Sequence, residues 1–197
     1  MIKNIFFDIG GVLLEVFPER ILDYLRKCTG LPDRQLQKAL DGDNFFAYEA
    51  GKLSDEEFFR WYQRAIPQPN NLTRDDFFQA WLQVLGEPTK TLTLARQLAR
   101  SYPVWLASNT NSCHIRYGEK KGYFDGFAGK VYSFEIGVRK PSTEFFQRAL
   151  DLAGAETGSS LFIDDKPENV GAAQAMGFET IHYQSDPQMK RDLDNWI

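Results

Sequence analysis

Four short apolar segments of this sequence are each followed by a side chain able to take part in catalysis. Asp8 follows the first segment, Ser108 and Asn109 the second, Lys140 the third, and the pair Asp164–Asp165 the fourth. Carboxylates in contact with one another do not all stay ionised unless a cation compensates them, and hard oxygen ligands suit Mg²⁺. A lysine and hydroxyl or amide donors beside such a metal describe a phosphoryl-transfer site, in which Asp8 can serve as the nucleophile.

The predicted secondary structure places these four segment ends at one edge of a sheet. Strands are predicted at residues 5–7, 104–107, 130–134, 161–163 and 180–183, and helices at about 112–121, 141–153 and 167–176, with a further helix at the end of the chain. Repeated strand–helix units favour an α/β fold, a doubly wound parallel sheet with helices on both faces. Ligands bind at the carboxyl ends of the strands in such sheets.

Residues from about 18 to 101 interrupt this alternation, because they contain helical patterns and no convincing strand. Ser54 and Glu57 form a predicted capping box, and Thr73 opens another amphipathic helix. We therefore predict a core of residues 1–15 and 95–197, and an inserted helical cap of residues 16–94. An insertion at the ligand-binding edge is typical of a lid that excludes water and selects substrates.

Composition narrows the range of partners and compartments. The chain has 197 residues, 43% of them hydrophobic, a formal net charge of −4 and two cysteines without metal-ligand spacing. An acidic chain of this kind is not expected to bind nucleic acid or an anionic membrane as its main partner. Without a signal peptide or a membrane-spanning stretch, it is expected to be soluble and cytoplasmic; its oligomeric state is not indicated.

The segments that carry these side chains resemble a known family. Phe7–Val12, Ser108–Thr110, Lys140–Pro141 and Phe162–Asp165 are similar to the four ordered motifs of the haloacid dehalogenase superfamily. The resemblance spans the core, and the cap follows the first motif. It is strongest for the sugar-phosphatase branch, which includes α-D-glucose-1-phosphate phosphatases and the phosphatase domain of epoxide hydrolases. The resemblance implies Mg²⁺-dependent hydrolysis of small phosphorylated metabolites, with sugar phosphates among the candidates, through an aspartyl-phosphate.

The resemblance also implies metal ligands. Asp8 would be both the nucleophile and a ligand, and Gly10 would give its backbone carbonyl to Mg²⁺. Asp165 would bind the metal directly. Asp164 would be a ligand or a partner through water.

The implied phosphate site consists of Ser108, Asn109 and Lys140. The first two would hold the phosphate, and Lys140 would neutralise its charge. Asn169, one helical turn beyond the acidic pair, is expected to hold that pair or to line the pocket.

The chain departs from the family pattern at Gly10. Most phosphatases of the superfamily have an aspartate two residues after the nucleophile, where it acts as general acid and base, a role worth about 10²–10⁴-fold in rate. Three explanations are open: a cap carboxylate such as Glu49 replaces it, water does so, or the leaving group needs no help. A sugar 1-phosphate would fit the last of these.

Other functions stay open beside the phosphatase. A haloacid dehalogenase uses the same nucleophile on carbon without a metal, although Asp164–Asp165 argues against it. A phosphomutase depends on the second aspartate, whose position is occupied here by Gly10. A catalytically weak relative would instead bind a phosphorylated ligand or a protein partner. The aromatic segment Phe45–Tyr48 is expected in the cap core or facing the substrate, and His114 and His182 are expected to be structural or surface residues.

Overall fold

The computed structural model describes residues 1–40 and 42–197. Asp41, which belongs to the predicted cap, lies outside the described residues. In chain order the strands are β1 Asn4–Phe7, β2 Leu14–Val16, β3 Leu85–Pro88, β4 Val104–Ser108, β5 Gly129–Tyr132, β6 Ser160–Asp164 and β7 Glu179–His182. The α-helices are α1 Glu19–Thr29, α2 Asp33–Leu40, α3 Asp43–Glu49, α4 Asp55–Ala65, α5 Arg74–Leu82, α6 Lys90–Leu98, α7 Ser112–Lys120, α8 Ser133–Ile136, α9 Thr143–Ala153, α10 Pro167–Ala175 and α11 Asp186–Leu193.

Five of these strands form a parallel sheet in the order β5-β4-β1-β6-β7. Strand β1 lies at its centre, where Phe7 is in register with Leu106 of β4 and with Ile163 of β6. The carboxyl ends of the three central strands are therefore neighbours. The predicted α/β fold class is confirmed.

Both faces of the sheet are buried, as expected when helices cover a parallel sheet on each side. Along β1, Ile5 and Phe7 pack into one hydrophobic cluster, and Phe6 packs into a second cluster on the opposite face. Helices α6 and α11 contribute Leu92 and Met189 to the first cluster. The alternation of side chains along each strand thus divides the core in two.

Helices α1 to α5 surround a separate hydrophobic cluster rich in aromatic rings. Phe58 lies near its centre, with its ring centroid 4.2 Å from that of Tyr48 and 5.1 Å from that of Trp81. The predicted capping box is present, because Ser54 and Glu57 each accept a hydrogen bond from the backbone N–H of the other. Burial of these rings, worth about 1.5–3 kcal/mol for each large apolar side chain, stabilises this group of short helices.

Strand β3 corrects the expectation that residues from about 18 to 101 contain no convincing strand, and its partner β2 lies just before that segment. They pair antiparallel at the two ends of the helical segment, with Val16 opposite Leu85, and we call this pair the stem. Thr89 Oγ1 donates to the backbone carbonyl of Val12 over 2.7 Å beside the stem. The predicted boundary between residues 94 and 95 lies inside α6, and the division into core and cap stays a prediction.

Two other element boundaries differ from expectation. The predicted strand 130–134 ends at Tyr132, because residues from Ser133 form the short helix α8. Helix α9 begins at Thr143 rather than at Pro141, since the Ser142 side chain accepts a hydrogen bond from the backbone N–H of Glu144 and caps it.

Among the described residues, none of the helices is both long and apolar enough to cross a membrane.

Candidate active site

Three carboxylates meet at the carboxyl edge of the sheet, and we call Asp8, Asp164 and Asp165 the acidic cluster. Asp8 follows β1, and the pair lies at the end of neighbouring β6. Each residue offers a carboxylate oxygen within 4.8 Å of the others. Asp8 is 6% exposed and Asp164 is fully buried, so water compensates little of their charge.

Lys140 supplies the positive charge of this cluster. Its Nζ lies 3.0 Å from Asp8 Oδ1 and 2.5 Å from Asp164 Oδ2, and it donates to the carbonyl of Ala107 over 2.8 Å. Burial opposes the charged form of the ammonium, but the carboxylates of Asp8 and Asp164 outweigh it and raise the lysine pKa. Lys166, which is exposed, also acts to lower the pKa of Asp165 against the effect of burial. Three acidic groups therefore face two lysines, of which Lys140 alone is buried, and an excess of negative charge remains.

The two adjacent acids at the end of β6 have different partners. The carboxylate of Asp164 accepts hydrogen bonds from the Lys166 backbone N–H at 2.9 Å, and from Asn169 Nδ2 at 3.0 and 3.1 Å, besides its ion pair with Lys140. Asp165 Oδ1, in contrast, is buried and has no hydrogen-bond partner among the described residues. An unpartnered buried oxygen costs about 1–3 kcal/mol, so Asp165 is the acid with a free coordination position.

Burial also raises the pKa values of two acids of this cluster, Asp8 and Asp165. It raises the pKa of Asp8 to about 6, against the opposing effects of Lys140 and Ser108, while the nearby Asp164 raises it further. The pKa of Asp165 is raised by burial and then by Asp164. A positive charge placed between these groups would favour their ionised forms.

The glycine turn after Asp8 brings the backbone close to the acidic cluster. The backbone N–H of Ile9 donates to Asp8 Oδ1 over 2.7 Å. Gly11 has a φ of +84°, and a Cβ at this position would lie 2.5 Å from Asp165 Oδ2. Glycine is therefore needed at position 11 for both its conformation and its lack of a side chain. Gly10 lines the same cavity as Asp8.

The predicted phosphate-binding residues lie beside this turn. Ser108 and Asn109 line the cavity at the end of β4, together with Lys140. The side-chain amide of Asn109 pairs with the backbone of Lys140, since Nδ2 donates to its carbonyl at 2.9 Å and Oδ1 accepts from its N–H at 2.8 Å. Asn109 thus positions the lysine, and its role in holding a phosphate stays a prediction. Asn169 both holds Asp164 and lines the cavity.

A cavity of about 580 Å³ extends from the acidic cluster towards helices α1 to α3. Glu49 of α3 lies in its wall and forms an ion pair with Arg139, at 2.9 Å to Nε and 2.7 Å to Nη2. Burial raises the pKa of Glu49, although Arg139 opposes the shift. Phe45 lines the cavity, while Tyr48 is buried in the aromatic cluster and Phe46 is 49% exposed.

One contributor to the site was not predicted. Ser133 Oγ donates to the carbonyl of Glu49 over 2.6 Å and accepts from the Thr110 backbone N–H over 2.9 Å, which joins α3 to the active-site edge. This role depends on docking of distant helices, for which the local sequence carries no signal. His114, expected to be a structural or surface residue, lies in the cavity wall beside Trp81, and its ring nitrogens bond to the Trp81 carbonyl and to Asn111.

A parallel α/β sheet with an acidic cluster, a buried lysine and an inserted helical segment at its carboxyl edge defines a class of hydrolase. Residues 2–177 match the family of haloacid dehalogenase-like hydrolases. The chain belongs to this family, and the resemblance found in the sequence is confirmed.

Individual relatives extend this comparison. The chain is 29% identical to a D-ribitol-5-phosphate phosphatase of Bacteroides thetaiotaomicron, over 98% of this chain and 97% of the relative. It is 26% identical to a sesquiterpene phosphatase of Aspergillus oryzae, over 91% and 89% of the two chains.

Solved structures show the same architecture. A haloacid dehalogenase family enzyme of B. thetaiotaomicron, crystallised with magnesium and inorganic phosphate, has a TM-score of 0.81 at 26% identity, covering 94% of this chain and 96% of its own. An L-2-haloacid dehalogenase of Xanthobacter autotrophicus has a TM-score of 0.65 at 18% identity, covering 100% and 84%. At that identity the second likeness concerns the fold alone.

Proposed function

We propose that this protein is a Mg²⁺-dependent phosphatase that hydrolyses small phosphomonoesters through an aspartyl-phosphate at Asp8. The observation that carries the proposal is the acidic cluster itself, three carboxylates within 4.8 Å of one another beside a fully buried lysine. The named phosphatases among its relatives, and the magnesium and phosphate in a related crystal structure, support the same conclusion.

The residues present fit a magnesium ion. Asp165 Oδ1 lacks a partner, and a bound cation would compensate the excess negative charge of the cluster. Asp8, Asp165 and the backbone carbonyl of Gly10 would hold the ion, with Asp164 acting through water because its oxygens already accept four hydrogen bonds. When bound, Mg²⁺ supplies positive charge that stabilises the phosphoryl oxygens.

In the proposed reaction, a carboxylate oxygen of Asp8 forms a bond to phosphorus while the bond from phosphorus to the ester oxygen breaks. That oxygen takes up a proton and leaves as an alcohol. A water molecule then attacks the phosphorus, which releases inorganic phosphate and restores the Asp8 carboxylate. The Lys140 ammonium, 3.0 Å from Asp8 Oδ1, neutralises negative charge on the transferred phosphoryl group. Ser108 lines the same part of the cavity.

Glu49 is the candidate to replace the general acid and base absent at Gly10. It is a buried carboxylate in the cavity wall, its pKa is raised by burial, and Lys140 and Lys166 are close enough to influence it. Glu49→Gln should lower kcat by about 10²-fold on an alkyl phosphate, and much less on an aryl phosphate, whose leaving group needs little protonation. Equal kcat values for the variant and the wild type on alkyl phosphates would exclude this role.

The names of the relatives favour different organic groups. One relative is named for a polyol phosphate and another for a terpene. The sugar phosphate predicted from the sequence is therefore one candidate, and phosphatase activity is the coarser statement on which both names agree.

The proposal is tested by phosphate release from 4-nitrophenyl phosphate, with Mg²⁺ and with a chelator. We expect turnover only with the metal, and its loss in Asp8→Asn. Asp151→Asn is the matched control, since Asp151 is an exposed residue of α9. Turnover by Asp8→Asn at the wild-type rate, or metal-independent halide release from 2-chloropropionate without any phosphatase activity, would overturn the proposal.

A further inference from the structure

We infer that the organic group of the substrate is a hydrocarbon rather than a polyol. This inference rests on the proposed phosphatase function and names its substrate class. The cavity of about 580 Å³ is far larger than a phosphate group needs and falls within the usual range for small-molecule sites. Its composition beyond the acidic cluster therefore determines which organic group is accepted.

The part of the wall contributed by residues 14–85, which we call the cap-side wall, is mainly aliphatic and aromatic. It is built from the stem, from α1 to α3, from Trp81 of α5 and from the segment after that helix. Most of the side chains that line the cavity there are apolar, among them Val16, Ile21, Leu40, Phe45, Val84 and Leu85. Each methylene buried against such a surface contributes to binding, whereas a hydroxyl group placed there loses its hydrogen bonds to water.

Most polar groups near the cap-side wall already have partners inside the protein. The Glu49 carboxylate is paired with Arg139. The ring nitrogens of His114 lie 3.1 Å from the carbonyl of Trp81 and 3.3 Å from Asn111 Nδ2, so the neutral ring donates to one and accepts from the other. Among the described residues of the cap-side wall, the other polar groups are the side chain of Gln37 and the indole N–H of Trp81, which is buried without a partner. These are too few groups for the four hydroxyls of a pentitol phosphate.

The test compares esters of equal carbon number. Pentyl phosphate and D-ribitol 5-phosphate both lose a primary alcohol, so their kcat/KM values differ mainly through contacts of the organic group. We expect pentyl phosphate to be favoured by at least tenfold, and kcat/KM to rise about fourfold per methylene from ethyl to hexyl phosphate, the factor that corresponds to about 0.8 kcal/mol.

Val84→Thr keeps the shape of the wall and adds a hydroxyl group, so it should flatten the rise with chain length. Leu152→Asn is the control outside the cavity, at an exposed position of α9, and should keep the wild-type slope. Thermal unfolding measures whether each variant is folded. If Val84→Thr is unfolded, the wild-type alkyl series decides the test by itself.

The outcomes separate the two proposals. Hydrolysis of 4-nitrophenyl phosphate with a flat alkyl series, or with ribitol phosphate preferred, would overturn the hydrocarbon inference and leave the phosphatase proposal in place. Hydrolysis of no ester at all would overturn both. A rising alkyl series that is identical in Val84→Thr would support the hydrocarbon group but overturn the assignment of its contacts to Val84.

Discussion

Replacing Lys140 by methionine tests whether its charge holds the acidic cluster together. Methionine has a similar length but no charge, and Lys140 is fully buried between Asp8 at 3.0 Å and Asp164 at 2.5 Å. Removing one partner of a buried ion pair costs about 3–5 kcal/mol, because the remaining charge is left uncompensated. For a chain of this size, that loss corresponds to a fall in Tm of roughly 10 °C.

Lys130→Met is the matched control for this experiment. Lys130 pairs with Glu119 at 2.9 Å, but their side chains are 33% and 47% exposed, and exposed pairs contribute about 0–1 kcal/mol. Urea unfolding followed by circular dichroism, with a chelator present, measures both variants against the wild type. If the two variants differ in unfolding free energy by less than about 1 kcal/mol, the electrostatic account of the site is wrong.

Other expected results concern the glycine turn, pH and the asparagine of α10. Alanine at Gly11 would lie 2.5 Å from Asp165 Oδ2, whereas alanine at Gly126, which has the same φ of +84°, would meet open space. Each should lose about 1–2 kcal/mol of stability, but only Gly11→Ala should lose phosphate release; equal activities would contradict the close approach. Burial lowers the pKa of His114 to about 4 from 6.5. The unfolded chain therefore binds a proton at this histidine first as pH falls, and the stability contributed by His114 should decrease by about 3 kcal/mol between pH 6.5 and 4. The raised pKa of Asp8 acts in the opposite direction over the same range, so the effect of His114 is the difference between wild type and His114→Gln. Urea unfolding should show the variant gaining stability relative to the wild type as pH falls, and parallel pH profiles would refute this. Asn169→Ala removes two hydrogen bonds to a buried carboxylate and should cost about 1–3 kcal/mol in the same assay; a loss under about 0.5 kcal/mol would mean that water replaces the amide.

The sheet could be predicted because each central strand carries its own signal. Residues 5–7, 104–107 and 161–163 are buried apolar runs that end at polar side chains. Since parallel strands all end at one edge, the meeting of Asp8 with Asp164 followed from the fold class. Local strand patterns, together with the rule that parallel strands end at one edge, were thus enough to predict that these side chains meet.

Long-range pairing explains what could not be predicted. Strand β3 contains Gly86 and Pro88, residues that are rare within strands, and it forms because β2 lies beside it. The partner of Glu49 is Arg139, 90 positions away, and the buried hydroxyl of Ser133 acquires its role only when α3 docks on α8. Such contacts depend on packing between segments, which no local pattern encodes.

The stem means that the chain leaves the core and returns to it at almost the same point. Val16 and Leu85 are neighbours in space, so the core accommodates the intervening residues much as it would a short hairpin loop. Insertions whose ends lie close together are tolerated with little effect on the host domain. If this contiguous stretch selects the substrate, as we predict for the cap, its exchange would replace the substrate-facing wall together with Glu49, while the acidic cluster and Lys140 stay in place.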